Sequence, residues 1–388
     1  MLHILFSFLV VSLSLLISIK RNGVGVGYLA LSWTPAALWL IAVVNEKVVG
    51  FGRFSEVMYH SSYDTSYFLV LAGVLMLLQS VIRHRSKKLL ICVVVSLLLT
   101  SAPAQSTAQS KEQQTQIILL GTGTPYPDPN ASGPATAVVV GKRVFLFDAG
   151  AGVMRRMNAA ELPISGPEAV FITHLHTDHT LGYPDLILTS WIMRRVSPLP
   201  VYGPHGLQRM TQHLLAAYAE DIHIRTYGLE REIAGGYRVK VHEIKSGLVY
   251  QRDGVRVTAI SVPHGSWKEA YAYRIDTPDR SIVISGDTRP SEALVRASRG
   301  VDVLVHEVYS PLHLAPEDRP GGKYWPQYMR EFHTSDVELG ALAARAKPKL
   351  LILTHIIRFG SSDEDLLAGV LAGGFIGPVR VGKDLERY

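Results

Sequence analysis

The chain contains one cysteine, Cys92, and it sits inside an apolar run. That excludes a disulfide framework and a Cys-ligated metal within a single chain. Charge is scarce as well. Only 19% of the 388 residues are Asp, Glu, Lys or Arg, against 47% apolar, and mean hydropathy is +0.17. A disordered polar chain and a collagen-like chain are thereby excluded. No fixed-period repeat is present. A strong basic excess is missing from the larger part: residues 111–388 carry thirty-one Lys/Arg and thirty Asp/Glu, whereas residues 1–110 carry eight and three. The pI of about 9.2 therefore reflects charges that flank apolar stretches, and it gives little support for nucleic-acid binding by the larger part.

The apolar excess is concentrated in four stretches, 2–19, 28–44, 66–82 and 89–100. The first three are long enough, or nearly so, to cross a hydrocarbon core of about 30 Å as helices. Lys20 and Arg21 follow the first stretch; Arg83, Arg85, Lys87 and Lys88 precede the fourth. With both basic clusters cytoplasmic, the chain leaves through the fourth stretch and residues beyond 105 lie outside. The fourth stretch also has the form of a secretory signal. A basic segment, twelve apolar residues and Ala102-Pro103-Ala104 predict cleavage before Gln105, with Met76 as a start. A multi-span anchor and a cleaved secreted protein both remain open, and both put the rest of the chain outside the cytoplasm. The division expected is a transmembrane or signal region over 1–104, a Ser/Thr/Gln-rich linker over 105–116 and one domain over 117–388.

Within that domain, short β-branched runs recur at 117–120, 137–140, 144–147, 170–173, 255–262, 281–285, 301–305 and 350–354. Helical patterns lie at 185–195, 206–218, 290–298 and 335–346, the last capped by Thr334 or Ser335. Early strands are close together and later ones alternate with helices, which predicts mixed sheets covered by helices. Several strands end in polar residues: Asp148, His174, Asp287, His306-Glu307 and His355. Strand ends are where α/β folds present functional groups.

The most informative run is Thr173-His174-Leu175-His176-Thr177-Asp178-His179. After a strand, His174 and His176 point the same way and can grip one cation, while Asp178 and His179 can face a second. Imidazole with carboxylate suits Zn²⁺ and tolerates Mn²⁺ or Fe. Gly121-Thr122-Gly123-Thr124 lacks the Gly-Lys-Ser/Thr ending of a P-loop and reads as a turn beneath the metal site.

This run is the signature of the metallo-β-lactamase superfamily, and the likeness extends over about residues 117–388. Phe147-Asp148-Ala149-Gly150 resembles the family's buttressing aspartate, Val262-Pro263-His264-Gly265 its third histidine motif, Ser285-Gly286-Asp287-Thr288 its bridging aspartate and Leu353-Thr354-His355 its last histidine. The resemblance implies a four-layer αββα sandwich, preceded here by the hydrophobic transmembrane helices, with two Zn²⁺ ions. His174, His176 and His264 would hold the first ion; Asp178, His179 and His355 the second; Asp287 would bridge them. Val201-Tyr202-Gly203-Pro204, His306-Glu307 and Phe332-His333-Thr334 resemble the ribonuclease Z, arylsulfatase and phosphodiesterase branch. That likeness makes Asp178, His333 and Glu307 the catalytic candidates, His333 protonating the leaving oxygen and Glu307 orienting it. His205, His213, His223, His242, His306 and His313 match no ligand motif and are read as structural.

One departure concerns the substrate. Ribonuclease Z that processes tRNA carries a long arm between the positions of His264 and Asp287; here twenty-two residues form two strands and a turn at Thr277-Pro278-Asp279-Arg280. The expected activity is therefore hydrolysis of a small anionic phosphodiester or aryl sulfate, with tRNA 3′ processing as the alternative and a non-catalytic metal-binding sensor as the reading from another class. RNA is disfavoured as a partner; a homodimer is compatible with the resemblance. The segment 309–330 reads as a long loop rich in Pro, Gly and aromatics that either lids the site and binds an aromatic substituent or packs away from it. Trp191 and Trp267 are rim or core.

Overall fold

The computed structural model describes residues 115–388. The four apolar stretches, and with them the transmembrane and signal readings, lie outside the described residues. Among the described residues no helix is long and apolar enough to cross a membrane.

Two mixed sheets form the centre. The first contains β1 (Gln116–Gly121), β2 (Ala135–Val140), β3 (Arg143–Phe147), β4 (Ala169–Phe171), β5 (Leu199–Gly203) and β6 (Val239–Glu243), in that order. The second runs β13 (Val379–Val381), β12 (Leu350–Ile357), β11 (Val303–Tyr309), β10 (Ser281–Ile284), β9 (Tyr271–Asp276), β8 (Val255–Ser261) and β7 (Gly247–Arg252). Each sheet begins as antiparallel hairpins and continues as parallel strands. That change follows from the connections: a tight turn suffices between antiparallel neighbours, while parallel neighbours need a crossover.

The helices are α1 (Val153–Ala159), α2 (Thr177–Thr180), α3 (Tyr183–Ile192), α4 (Leu207–Ala217), α5 (Ala219–Tyr227), α6 (Glu292–Ala297), α7 (Trp325–Phe332), α8 (Asp336–Ala346) and α9 (Asp363–Ala372). Strand alternation sorts the apolar residues into three cores. On β1, Ile117 and Leu119 face the second sheet, while Ile118 and Leu120 face α1 and α3. Phe145, Phe147, Phe171 and Tyr273 fill the layer between the sheets. Val283, Leu304 and Leu351 pack outward on α6, α8 and α9 through Leu294, Leu339 and Val370. Three cores between four layers are the expected αββα arrangement.

Several elements differ from the sequence reading. The strands β5, β6, β7 and β13 and the helices α1, α2, α5, α7 and α9 were not expected as such. β6 and β7 are edge strands with half-exposed or exposed side chains, so no apolar run marks them. The segment 309–330 is not all loop: a 3₁₀ turn at Gly322–Tyr324 leads into α7, with Pro326 in its first turn, where proline is tolerated. Ser335, rather than Thr334, caps α8 in a capping box with Glu338.

The histidine loop is set against β3 by backbone contact. Ala149 N–H donates to His179 O and Gly182 N–H to Ala149 O, both at 2.9 Å. A Cβ at Gly182 would overlap the carbonyl oxygens of Gly150 and Ala149. Overpacking of this kind costs about 1–3 kcal/mol. Gly182→Ala is therefore expected to lower the Tm by about 2–10 °C in calorimetry; an unchanged Tm would show that the loop is not clamped this way.

Candidate metal centre

The site lies where strands of both sheets end. Asp148 follows β3, and the loop from Thr173 to His179 follows β4. His264 comes three residues after β8 and Asp287 three after β10; Glu307 lies within β11 and His355 within β12. His355 is the extra residue of a bulge: Glu307 pairs with Thr354 and Val308 with Ile356. Its φ is 43° and that of Asp148 is 60°, both in the left-handed region. A bulge turns a side chain out of its ladder register, and such strain of about 1–3 kcal/mol per residue is retained at sites that use it.

The seven residues expected as ligands converge into neighbouring donor sets. His174, His176, His264 and Asp287 form one, and Asp178, His179 and His355 another, with donor atoms of each set within 4.8 Å of one another. In the first set His174 Nε2 is 2.9 Å and His264 Nε2 3.1 Å from His176 Nδ1. In the second, His355 Nε2 lies 3.1 Å and His179 Nε2 3.5 Å from Asp178 Oδ2. Asp287 reaches both: Oδ2 is 3.8 Å from His174 Nε2 and 3.5 Å from His355 Nε2, and Oδ1 is 3.3 Å from His179 Nε2.

The charge states of the two sets differ. Burial pushes His176 and His264 down to about 4 and His174 in the same direction, so these imidazoles keep free lone pairs. Burial works against His179 and His355 being charged, yet the carboxylates of Asp287, Asp148 and Asp178 hold His179 high, and Asp287 and Asp178 hold His355 high. Asp287, itself resisted by burial, is held well below the ordinary carboxylate range by His355 and His179. His179 Nε2 and Asp287 Oδ1, which face each other in the site, are buried with no hydrogen-bond partner. Orphaned buried donors and acceptors are costly, and a divalent cation among them removes that cost.

Neighbouring groups orient the ligands, as metal sites require. Asp148 accepts from the Thr173 N–H at 2.8 Å and the Thr173 hydroxyl at 2.9 Å, and its Oδ2 is 2.8 Å from His179 Nδ1. His264 Nδ1 lies 2.7 Å from the carbonyl of Phe332, a backbone contact with no signal in the sequence. Trp267 donates its indole N–H to His176 Nε2 at 2.8 Å. A cation on Nδ1 would put the imidazole proton on Nε2, so metal loading and this indole contact compete.

His333 and Glu307 sit beside the second set. Glu307 Oε1 accepts from Thr334 N–H at 2.8 Å, while Oε2 is 3.3 Å from His333 Nδ1. His333 also stands with Asp287 and His355 in a third donor grouping, so it borders the ligand set rather than lying apart from it. Burial pushes His333 down to about 4 and Glu307 well up, so each favours its neutral form in this pocket. Trp191 is fully buried, with its indole bonded to Ile233 O, and belongs to the core. The segment 309–330 and its helix do reach the site. Arg319, Trp325, Tyr328 and Phe332 form a continuous stack, Phe332 lies 5.1 Å from His264 and Tyr328 5.9 Å from His333. Among the structural histidines, His306 is fully buried with Nδ1 2.6 Å from Glu307 O.

Residues 143–356 match the Beta-lactamase superfamily domain. The chain belongs to the β-lactamase superfamily. It is a metallo-hydrolase of that fold, and ribonuclease Z proteins are its homologues. Ribonuclease Z of Mycobacterium bovis (strain BCG / Pasteur 1173P2) is 34% identical over 278 residues, covering 70% of this chain and 97% of the relative. Among solved structures, human tRNase Z, short form, aligns with TM-score 0.53 at 20% identity, over 70% of this chain and 98% of that one. The metallo-β-lactamase fold protein YhfI from Bacillus subtilis gives the same TM-score and identity over 71% and 98%. These two likenesses concern the superfamily fold.

Asp148 is the test of the supporting shell. Asp148→Asn is expected to weaken one bound ion by about 10–100-fold, as loss of such partners does. Competition with a chromophoric chelator reads this; unchanged affinity for every bound ion would remove Asp148 from the role.

Proposed function

We propose that the domain is a two-metal phosphodiesterase that acts on RNA, as the name ribonuclease Z says of its relatives, and that it cleaves at RNA 3′ ends. The observation that carries the two-metal part is Asp287, whose two oxygens approach histidines of both donor sets. His174, His176 and His264 would hold one Zn²⁺, Asp178, His179 and His355 the other, with Asp287 between them; Mn²⁺ or Fe suits the same donors. Supporting the RNA reading is the coverage of the ribonuclease Z relatives, which are matched over 97% of their length.

When bound, the cations supply an acidified water and neutralise charge on the phosphoryl group. The protein's own groups do the rest. Asp178 lies against His355 and His179 and keeps a carboxylate at the site at neutral pH, held low by those imidazoles against the effect of burial. His333 Nδ1 faces Glu307 Oε2 at 3.3 Å, and burial favours the neutral form of each, which leaves one proton on the Glu307 carboxyl. Burial keeps that pair neutral overall, and negative charge developing on a leaving oxygen draws the proton to it through His333. Thr334 and Thr288 fix Glu307 Oε1 by their backbone N–H groups, which leaves Oε2 facing His333.

A second reading, a small phosphodiester or aryl sulfate, is favoured by one observation. The interval from His264 to Asp287 is filled by β9, β10 and the tight turn between them, where Thr277 N–H donates to Arg280 O at 2.8 Å. No tRNA-gripping arm is built there. The placement outside the cytoplasm read from the apolar stretches points the same way, and so both substrate classes belong in one experiment.

A precursor tRNA, a p-nitrophenyl phosphodiester and p-nitrophenyl sulfate, assayed together with added Zn²⁺, discriminate the readings. Cleavage of the tRNA at its 3′ trailer is the expected result; silence on RNA with turnover of a small ester would overturn the RNA part alone. Silence on all three would favour a binding or sensing role. His333→Ala is expected to keep its metal and to lose about 10²–10⁴-fold in rate where the leaving group is poor. Little loss is expected with p-nitrophenolate, which leaves unprotonated; equal losses for good and poor leaving groups would take the proton-donor role from His333.

A further inference from the structure

An open cavity of ≈ 320 Å³ adjoins the first donor set, with Leu175, Pro204 and Trp267 in its lining. Leu175 stands between two of the expected ligands, His174 and His176, and Trp267 packs against the second of them. Trp267 meets His174 and His176 only edgewise, at 76° and 90°, and among the described residues no ring lies parallel to it. Its flat faces are therefore free of stacking partners. The aromatic column on α7 is different. Tyr328 is covered by Trp325 on one side and Phe332 on the other, and Arg319 lies over Trp325, so that column is closed and offers no slot.

His205, Lys268 and Glu269 line the same cavity. The carboxylates near them are already engaged. Glu243 faces His205 Nδ1 at 2.9 Å and accepts from Gly206 N–H at 2.8 Å, and Glu269 accepts from His205 N–H at 2.7 Å. An apolar, ring-faced floor with the Lys268 ammonium in its lining matches an aromatic ring attached to an anion. The position also selects which ring. His333, the proton donor to the leaving oxygen, packs against His355 and His264, whereas Trp267 packs against His176 and His174.

We propose that this cavity is a subsite for an aromatic ring, a nucleobase or an aryl group, carried on the side of the phosphodiester that is not expelled, with Trp267 as its stacking face. The proposal rests on the phosphodiesterase reading and names the substrate feature that reading leaves open. Stacking of a base or arene on a tryptophan is sequence-tolerant and strong enough to dominate the choice between ring and methyl substituents.

The test holds the leaving group constant. Methyl, phenyl and thymidine 5′ esters of p-nitrophenyl phosphate are compared on the metal-loaded full chain. The phenyl or thymidine ester is expected to exceed the methyl ester by about tenfold in kcat/KM, mainly through KM. Preference for thymidine identifies a nucleobase as the ring, and preference for phenyl alone an aryl group. In Trp267→Ala the ratio of ring to methyl substrate should fall below about twofold, whatever happens to the absolute rates, and Trp267→Phe should restore it. A ratio near one in the unaltered protein, or a ratio that survives Trp267→Ala, overturns the subsite. Calorimetry with phenylphosphonate and methylphosphonate on the metal-loaded chain separates the two levels. If no ester is turned over, the phosphodiesterase reading fails, while equal binding of the two phosphonates independently overturns the subsite and about tenfold tighter phenylphosphonate, lost in Trp267→Ala, upholds it.

Discussion

Asp287 is buried to 2% exposure, and the cationic partners around it are imidazoles rather than lysine or arginine. A carboxylate removed from water in this way is costly unless paired and hydrogen-bonded. His179 and His355, held in the charged form by the carboxylates, compensate it in part, while burial keeps His174, His176 and His264 neutral. Divalent cations here would displace the protons of His179 and His355, take all five imidazoles as ligands and give the carboxylates counter-charge. Much of the surrounding structure serves to hold that arrangement. Asp148 binds the histidine loop, the Gly150–Gly182 approach fixes the loop against β3, and the bulge at His355 turns the last histidine inward.

The fold carries these residues by ending its strands at one edge of the paired sheets. Apolar alternation makes the three cores, and each core seats one end of the site. The layer between the sheets is aromatic near this edge. Phe147 and Phe171 stack at 5.0 Å, and the Tyr273 hydroxyl donates to Ile172 O at 2.7 Å beside the histidine loop. Packing therefore sets the loop's position before any ligand contributes.

The sequence made most interior strands, though not β5, and the candidate metal ligands legible because both are local signals: β-branched runs and closely spaced imidazoles. His174, His176, Asp178 and His179 lie within six residues, and His264, Asp287 and His355 each follow or close an apolar strand. The edge strands β6 and β7 were not legible, since half-exposed residues such as Lys240 and Gln251 break the apolar pattern. Nor was α7, whose Trp325, Tyr328 and Phe332 sit at helical spacing but follow a Pro- and Gly-rich segment that reads as loop. Trp191 and Trp267 carried the same sequence signal and took opposite roles. Burial against Tyr237 decided one and a contact with His176 the other. Tertiary packing, not residue type, made that difference.

Metal stoichiometry tests the central claim most directly. Plasma mass spectrometry of the purified chain, alongside Asp287→Ala, should find two divalent ions per polypeptide in the unaltered protein and a loss of bound metal in the variant. One ion or none in the unaltered protein after incubation with excess Zn²⁺, or two ions retained by Asp287→Ala, would contradict a centre organised around that carboxylate.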